Sequence, residues 1–201
     1  MLRAISLLWI LLAASCAGTG HPSLLENCPV TPSAVKDLSQ GLLLRARVRM
    51  SARNHEASFE VIAHATTKEL TLVGIAPYGM RLFEIQQIGL EFHQPTSASA
   101  EAELLAIFTA DALYRAYWIE PPGQKNSWVR DGETITDSDT GSKRRRSFVQ
   151  KGGPPGSGHV TIDYDHESSA GDAPGARIEN PWCGYRAVVV PLEMENRNQE
   201  P

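Results

Sequence analysis

The sequence predicts an α+β, mainly β fold: a curved antiparallel sheet forming a half-open barrel, with one long apolar helix as its lid. Three observations carry this. Apolar and polar residues alternate at period two in several stretches from Leu42 onward. That period gives way once, between Ser97 and Gly123, to a run of helix formers. Turn-forming clusters rich in Gly, Pro, Asp and Ser separate the alternating stretches. A closed barrel with an external helix fits the same pattern.

In order, Leu44, Ala46, Val48 and Met50 alternate with Arg45, Arg47 and Arg49, the pattern of a strand buried on one face with its arginines toward solvent. Residues 57–66 repeat the pattern, with Phe59, Val61 and Ala63 on one face and Ser58, Glu60, Ile62 and His64 on the other. Residues 68–88 read as a hairpin. Its turn, Ala76-Pro77-Tyr78-Gly79, has Pro second and Gly fourth, as a type I turn prefers. Leu70–Ile75 is apolar on both faces and predicts a central strand covered on two sides. Leu90–Gln94 continues the sheet.

The helix is predicted from Glu101 to just before Pro121-Pro122-Gly123, with Ser99 as N-cap and Glu101 and Glu103 in the first turn. Asp111 and Arg115 form an i,i+4 pair. Leu104, Leu105, Ile107, Phe108, Leu113, Tyr114, Tyr117 and Trp118 make the helix apolar most of the way round, so it needs cover on most sides. Beyond it, 127–129, 134–136 and 147–150 are weak strand candidates, with a hairpin turn at Asp131-Gly132. Val160, Ile162 and Tyr164 face inward on a clear strand over 158–166. The last strand covers at least Tyr185–Val190. Residues 137–143, 151–158 and 168–175 have loop composition.

The N-terminus carries a different signal. Arg3 precedes an apolar run from Ala4 to Ala14. Eleven helical residues rise about 16 Å, about half of a bilayer core, so this reads as a signal-peptide h-region. The run ends Ala13-Ala14-Ser15-Cys16: small residues ahead of a cysteine, as in a bacterial lipobox. Cys16 is therefore the expected lipidation site. The alternative is an ordinary secretory signal with an incidental Cys16. Ala17 and Gly18, with no Asp after the cysteine, favour the outer membrane by resemblance to enterobacterial lipoproteins: inner leaflet, facing the periplasm.

The expected organisation is a signal peptide (1–15), a lipid-anchored linker (16–41), the β domain (42–194) and a polar tail (195–201). Formal net charge is −4, and −5 without Arg3, which gives no reason to expect nucleic acid. Past residue 16 no apolar stretch is long enough to span a membrane. Two further cysteines, Cys28 and Cys183, would sit in an oxidising compartment. A bridge between them would close about 155 residues, worth roughly 4–5 kcal/mol in the chain-entropy model; two separate thiols fit as well. No C-x-x-C spacing occurs.

The segment Leu70-Thr71-Leu72-Val73-Gly74-Ile75 followed by Ala76-Pro77-Tyr78-Gly79-Met80-Arg81-Leu82-Phe83-Glu84 resembles a family of bacterial lipoproteins defined by a domain of unknown function. That family is often encoded with aryl-polyene and fatty-acid-like biosynthesis genes. Tyr117-Trp118 near the helix end and Gly184-Tyr185-Arg186 entering the last strand also match. The resemblance covers roughly 42–193. It implies a fold like that of the outer-membrane lipoprotein carriers LolA and LolB: a half-open barrel, a helical lid and a cavity for acyl chains. The 151–158 stretch, the Lys143–Arg146 run and Cys183 depart from that family's pattern, so the Cys28–Cys183 bridge is an inference from this chain alone.

Leu82, Phe83, Leu104, Phe108, Tyr117 and Trp118 are the candidates for lining a hydrophobic site, where each buried methylene of a ligand is worth about 0.8 kcal/mol. The same residue types would equally make a solid core. The Lys143–Arg146 run reads as a solvated loop or a headgroup contact. His159, Thr161, Asp163 and Asp165 share one strand face, with His166 nearby; an exposed polar face outweighs a metal site there. No G-x-S-x-G, H-E-x-x-H, Walker or G-x-G-x-x-G motif occurs, so no catalytic residue, metal or cofactor is expected. The expected function is a lipid-anchored protein that binds or transfers an acyl or aryl-polyene lipid in the envelope. The alternative is a non-catalytic subunit of an envelope assembly with a protein partner.

Overall fold

Strict alternation from Leu42 makes every second residue of the first strand bury, and the sheet is built outward from it. A computed structural model describes residues 42–52, 55–66, 68–93, 99–119, 126–141, 143–150, 159–165 and 173–196. The strands are β1 (Leu42–Ala52), β2 (His55–Ala65), β3 (Glu69–Ile75), β4 (Arg81–Ile88), β5 (Glu91–His93), β6 (Ser127–Arg130), β7 (Glu133–Asp139), β8 (Arg144–Gln150), β9 (His159–Tyr164), β10 (Ala176–Asn180) and β11 (Tyr185–Asn196). One helix, α1 (Ala100–Leu113), runs straight into a π-helical turn (Tyr114–Trp118). All eleven strands join one sheet in the order β5-β4-β3-β2-β1-β11-β10-β9-β8-β7-β6. Every pairing is antiparallel. Among the described residues β5 and β6 are the edges, and the sheet is not closed.

The inner face carries the core: Leu44, Ala46, Val48 and Met50 from β1, Phe59, Val61 and Ala63 from β2, Val160, Ile162 and Tyr164 from β9, and Tyr185, Ala187 and Val189 from β11 are all buried. α1 packs against β3, β4 and β11 on that face. Pro191 sits inside β11, where a missing N–H would break a ladder. The register shifts there, with Pro191 opposite Ala46 and Glu193 opposite Arg45. A bulge is where a strand interior tolerates proline.

Local turn chemistry behaves as its residues demand. Gly79 N–H donates to the Ala76 carbonyl at 2.9 Å and Ala76 N–H to the Met80 carbonyl at 2.8 Å; Gly79 takes φ of +80°, which only glycine adopts cheaply. Asp131 and Gly132 both have positive φ, as a type I′ hairpin turn needs. Ser99 caps α1, accepting a hydrogen bond from Ala102 N–H at 3.2 Å.

Four expectations change. The helix is short, not a long apolar lid: fourteen α-helical residues and a five-residue π-turn, with Ile119 already extended. Its buried face includes Thr109, Asp111 and Arg115. β3 is covered on one side only, with Leu70 and Leu72 buried and Val73 and Ile75 half-buried. The first three residues of the 137–143 stretch are strand, because β7 reaches Asp139, and β8 begins directly after the stretch at Arg144. The arginine run therefore lies in a sheet and not in a loop: pairing with β7 and β9 places alternate residues on opposite faces, and Arg146 turns inward. β11 continues to Asn196, two residues into the stretch read as a tail.

Candidate functional site

The residues at one end of the sheet leave space instead of filling it. Glu101, Leu104, Leu105 and Phe108 recur at helical spacing along one side of α1. Opposite them stand Met50 and Ala52 at the end of β1, His55, Glu56 and Ala57 at the start of β2, and Cys183. Together they bound a partly open cavity of about 430 Å³, within the size range of small-molecule sites. Its surface is mainly apolar, and His55, Glu56 and Glu101 are its charged or titratable members. Phe108 stacks on Tyr185 with ring centroids 5.0 Å apart, which fixes its orientation.

Only Leu104 and Phe108 of the six candidate lining residues reach this cavity. Phe83 is buried against Phe59 in an edge-to-face pair at 5.6 Å, and its ring covers Gly74 on the neighbouring strand. Leu82 is half-buried against the core, and Trp118 is fully buried within it. Tyr117 donates its hydroxyl to the Pro174 carbonyl at 2.9 Å and ties the π-turn to the approach to β10. Met50, Ala52, Ala57 and Leu105 line the cavity but were not singled out by sequence. Small or strand-end residues give no signal of empty space beside them.

The other end of the helix is occupied by charge. Asp111 and Arg115 are each only 4% exposed. Arg115 Nε donates to Asp111 Oδ1 at 2.9 Å, and its two terminal nitrogens donate to Glu133 at 2.8 and 3.1 Å. Its guanidinium lies 4.7 Å over the Phe148 ring. The second Asp111 oxygen accepts from the Tyr185 hydroxyl and, at 3.2 Å, from Asn180 Nδ2. Asn180 Oδ1 in turn accepts from Cys183 N–H at 3.0 Å. Burial by itself would lower the Arg115 pKa, but Asp111 and Glu133 outweigh it and hold the guanidinium above its ordinary value. Burial, then the Asp111 charge, pushes the Tyr185 phenol well up.

A second arginine closes the helix. A π-turn and a helix end both leave backbone carbonyls without intrahelical donors. Arg146 Nη1 donates to the Ile119 carbonyl at 2.6 Å and to the Arg115 carbonyl at 3.4 Å. The rest of its guanidinium grips Asp137 at 2.7 and 2.8 Å. The Tyr164 hydroxyl donates to the Ala116 carbonyl at 2.8 Å. Asp111 thus accepts from three donors, and neither arginine has an idle donor fork. The arrangement holds a helix in place and offers no ready general base or nucleophile.

The outer face carries paired charges. Arg45 grips Glu60 at 3.2 and 2.8 Å, and Arg145 grips Asp163 at 2.5 and 2.9 Å. The hydrogen bond from Arg145 holds the Asp163 carboxyl below its ordinary pKa. Among the described residues no three His, Cys, Asp or Glu side chains are grouped as a metal ion would require; His166 lies outside those residues. No described helix is long and apolar enough to cross a membrane.

Residues 44–193 match the family model of DUF3261, described as proteins of unknown function. The chain belongs to the DUF3261 family. No curated protein matches it. The DUF3261 match holds β1 from Leu44, β2 through β10, β11 as far as Glu193, the whole of α1 and both arginine clusters. Cys183 falls inside it, whereas Cys16 and Cys28 precede it and lie outside the described residues. Cys183 is disulfide-bonded.

Proposed function

We propose that this DUF3261 protein is a lipid-anchored envelope protein that binds, or passes on, a hydrophobic molecule bearing an acyl or polyene chain. The cavity of about 430 Å³ between α1 and the ends of β1 and β2 is the observation that supports this reading. Its walls are mainly hydrocarbon, and they suit a chain that gains about 0.8 kcal/mol per methylene removed from water. The open, one-sided sheet with a helix across its inner face is compatible with a half-barrel of the LolA and LolB kind. The small-residue run ending at Cys16 supplies the anchor, and Ala17-Gly18 direct it to the inner leaflet of the outer membrane. The buried charges of Asp111, Arg115 and Arg146 are each paired, which favours binding over catalysis.

Mass spectrometry of organic extracts from a soluble Cys16→Ser form, expressed with a cleavable secretory signal, tests the ligand. A co-purifying lipid, lost on filling the cavity with Ala57→Phe, is the expected result. Ligand-free protein that also takes up no fluorescent fatty acid would refute the reading. Labelled palmitate should enter the wild-type chain and not Cys16→Ser. A second reading, a filled structural subunit of an envelope assembly, is favoured by Phe83 and Trp118, two of the expected lining residues, which are packed as solid core. A stoichiometric protein partner in crosslinking pulldowns would support it.

A further inference from the structure

We infer that a disulfide between Cys28 and Cys183 sets which end of the domain faces the membrane, and that the end so held carries the apolar cavity. This rests on the proposed lipid anchor at Cys16.

The sheet has two ends. Leu42 pairs with Asn196 at one, and Ala52 pairs with both His55 and Tyr185 at the other. The eleven residues of β1 separate them by about 36 Å. A chain anchored at Cys16 and running unbridged to Leu42 has 26 residues of tether, up to about 90 Å. It would enter the domain at the Leu42 end and leave it free to tumble. The bridge changes both quantities. Cys183 is disulfide-bonded, and the chain has two other cysteines, Cys16 and Cys28. A thioether on Cys16 uses up that sulfur, which leaves Cys28. The tether then has 12 residues, at most about 43 Å, and meets the domain at the opposite end, on the cavity wall itself.

That end is also dressed for a lipid surface. Tyr78 and Met80, in the β3–β4 turn, are 92% and 64% exposed. β3 runs antiparallel to β2, so this turn projects toward the same end as His55. Trp182, beside Cys183, is half-buried there as well. Tyr and Trp favour the headgroup layer of a bilayer. The partner is the bilayer that holds the anchor, and the cavity lies within reach of its acyl chains.

Trp182 is a native reporter, since Trp118 and Trp128 are buried and Trp9 leaves with the signal. Full-length lipidated protein is placed on phosphatidylethanolamine–phosphatidylglycerol vesicles with brominated acyl chains. Tryptophan quenching should be strong, vanish in Trp182→Phe, and fall several-fold in Cys28→Ser/Cys183→Ser. Should the unbridged variant fold poorly, inserting about twenty Gly/Ser residues between Cys16 and Cys28 keeps the bridge and should lower quenching equally. Protein that fails to float with vesicles overturns the anchor and this orientation together. Protein that floats with Trp182 unquenched, or equally quenched with the bridge removed or the linker lengthened, overturns the orientation alone.

Discussion

The two ends of one helical segment meet the same sheet in opposite ways. The first half of α1 presents Leu104, Leu105 and Phe108 to β1 and β2 and leaves a cavity. The second half and the π-turn present Asp111, Arg115 and three backbone carbonyls to β7, β8, β9 and β11, where side chains pin them at 2.5–3.4 Å. Apolar contacts are non-directional and tolerate a gap. Buried charges tolerate none, because each unmatched group costs several kcal/mol. The charged half therefore fixes the helix so that the apolar half can remain partly unfilled.

The strongest way to break this contrast is to remove Arg115. Arg115→Ala strands Asp111 and Glu133 and should cost about 3–5 kcal/mol in urea unfolding. Next is Arg146→Ala, which uncaps Ile119 and frees Asp137; about 3 kcal/mol is expected from lost charge-assisted hydrogen bonds and the stranded carboxylate. Gly74→Ala drives a methyl into the Phe83 ring and should cost about 1–3 kcal/mol by overpacking, with Phe83→Leu relieving part of it. On the cavity side, Leu104→Ala should cost only about 1 kcal/mol, below the usual core penalty, because Leu104 already borders space and is half-exposed. A Leu104→Ala loss as large as that of Arg115→Ala would erase the contrast.

Alkaline pH sharpens it without mutation. Burial raises the phenols of Tyr117 and Tyr164, and burial with Asp111 raises that of Tyr185. A folded pKa above the unfolded value of about 10 means the unfolded chain loses its proton first. Stability is then fully present below pH about 10 and falls as pH rises beyond it. Tyrosinate absorbance of these three should appear together with loss of near-ultraviolet circular dichroism. Titration of all three while the fold persists would contradict their burial.

Much of the sheet was legible in sequence because side-chain alternation is local. Phe59, Val61 and Ala63, or Val160, Ile162 and Tyr164, announce a buried face by spacing alone. The apparent two-sided burial of Leu70–Ile75 failed because apolar composition does not report whether a second layer exists. Asp111 and Arg115 were visible as an i,i+4 pair, but that spacing is the same on a surface as in a core. Their burial depends on Asn180 and Tyr185, 69 and 74 residues from Asp111.

By itself the sequence determined the strand pattern, the Ser99 cap, the positive-φ turns at Gly79 and Asp131-Gly132, and the small-residue run ahead of Cys16. These depend on neighbours within a few residues. Only the tertiary structure decided that Arg146 faces inward to close a π-turn, and that Leu104 and Phe108 border a cavity while Phe83 and Trp118 fill a core. An apolar side chain has the same composition in either place; what differs is how far the opposing wall stands, and that distance is set by strands remote in the chain.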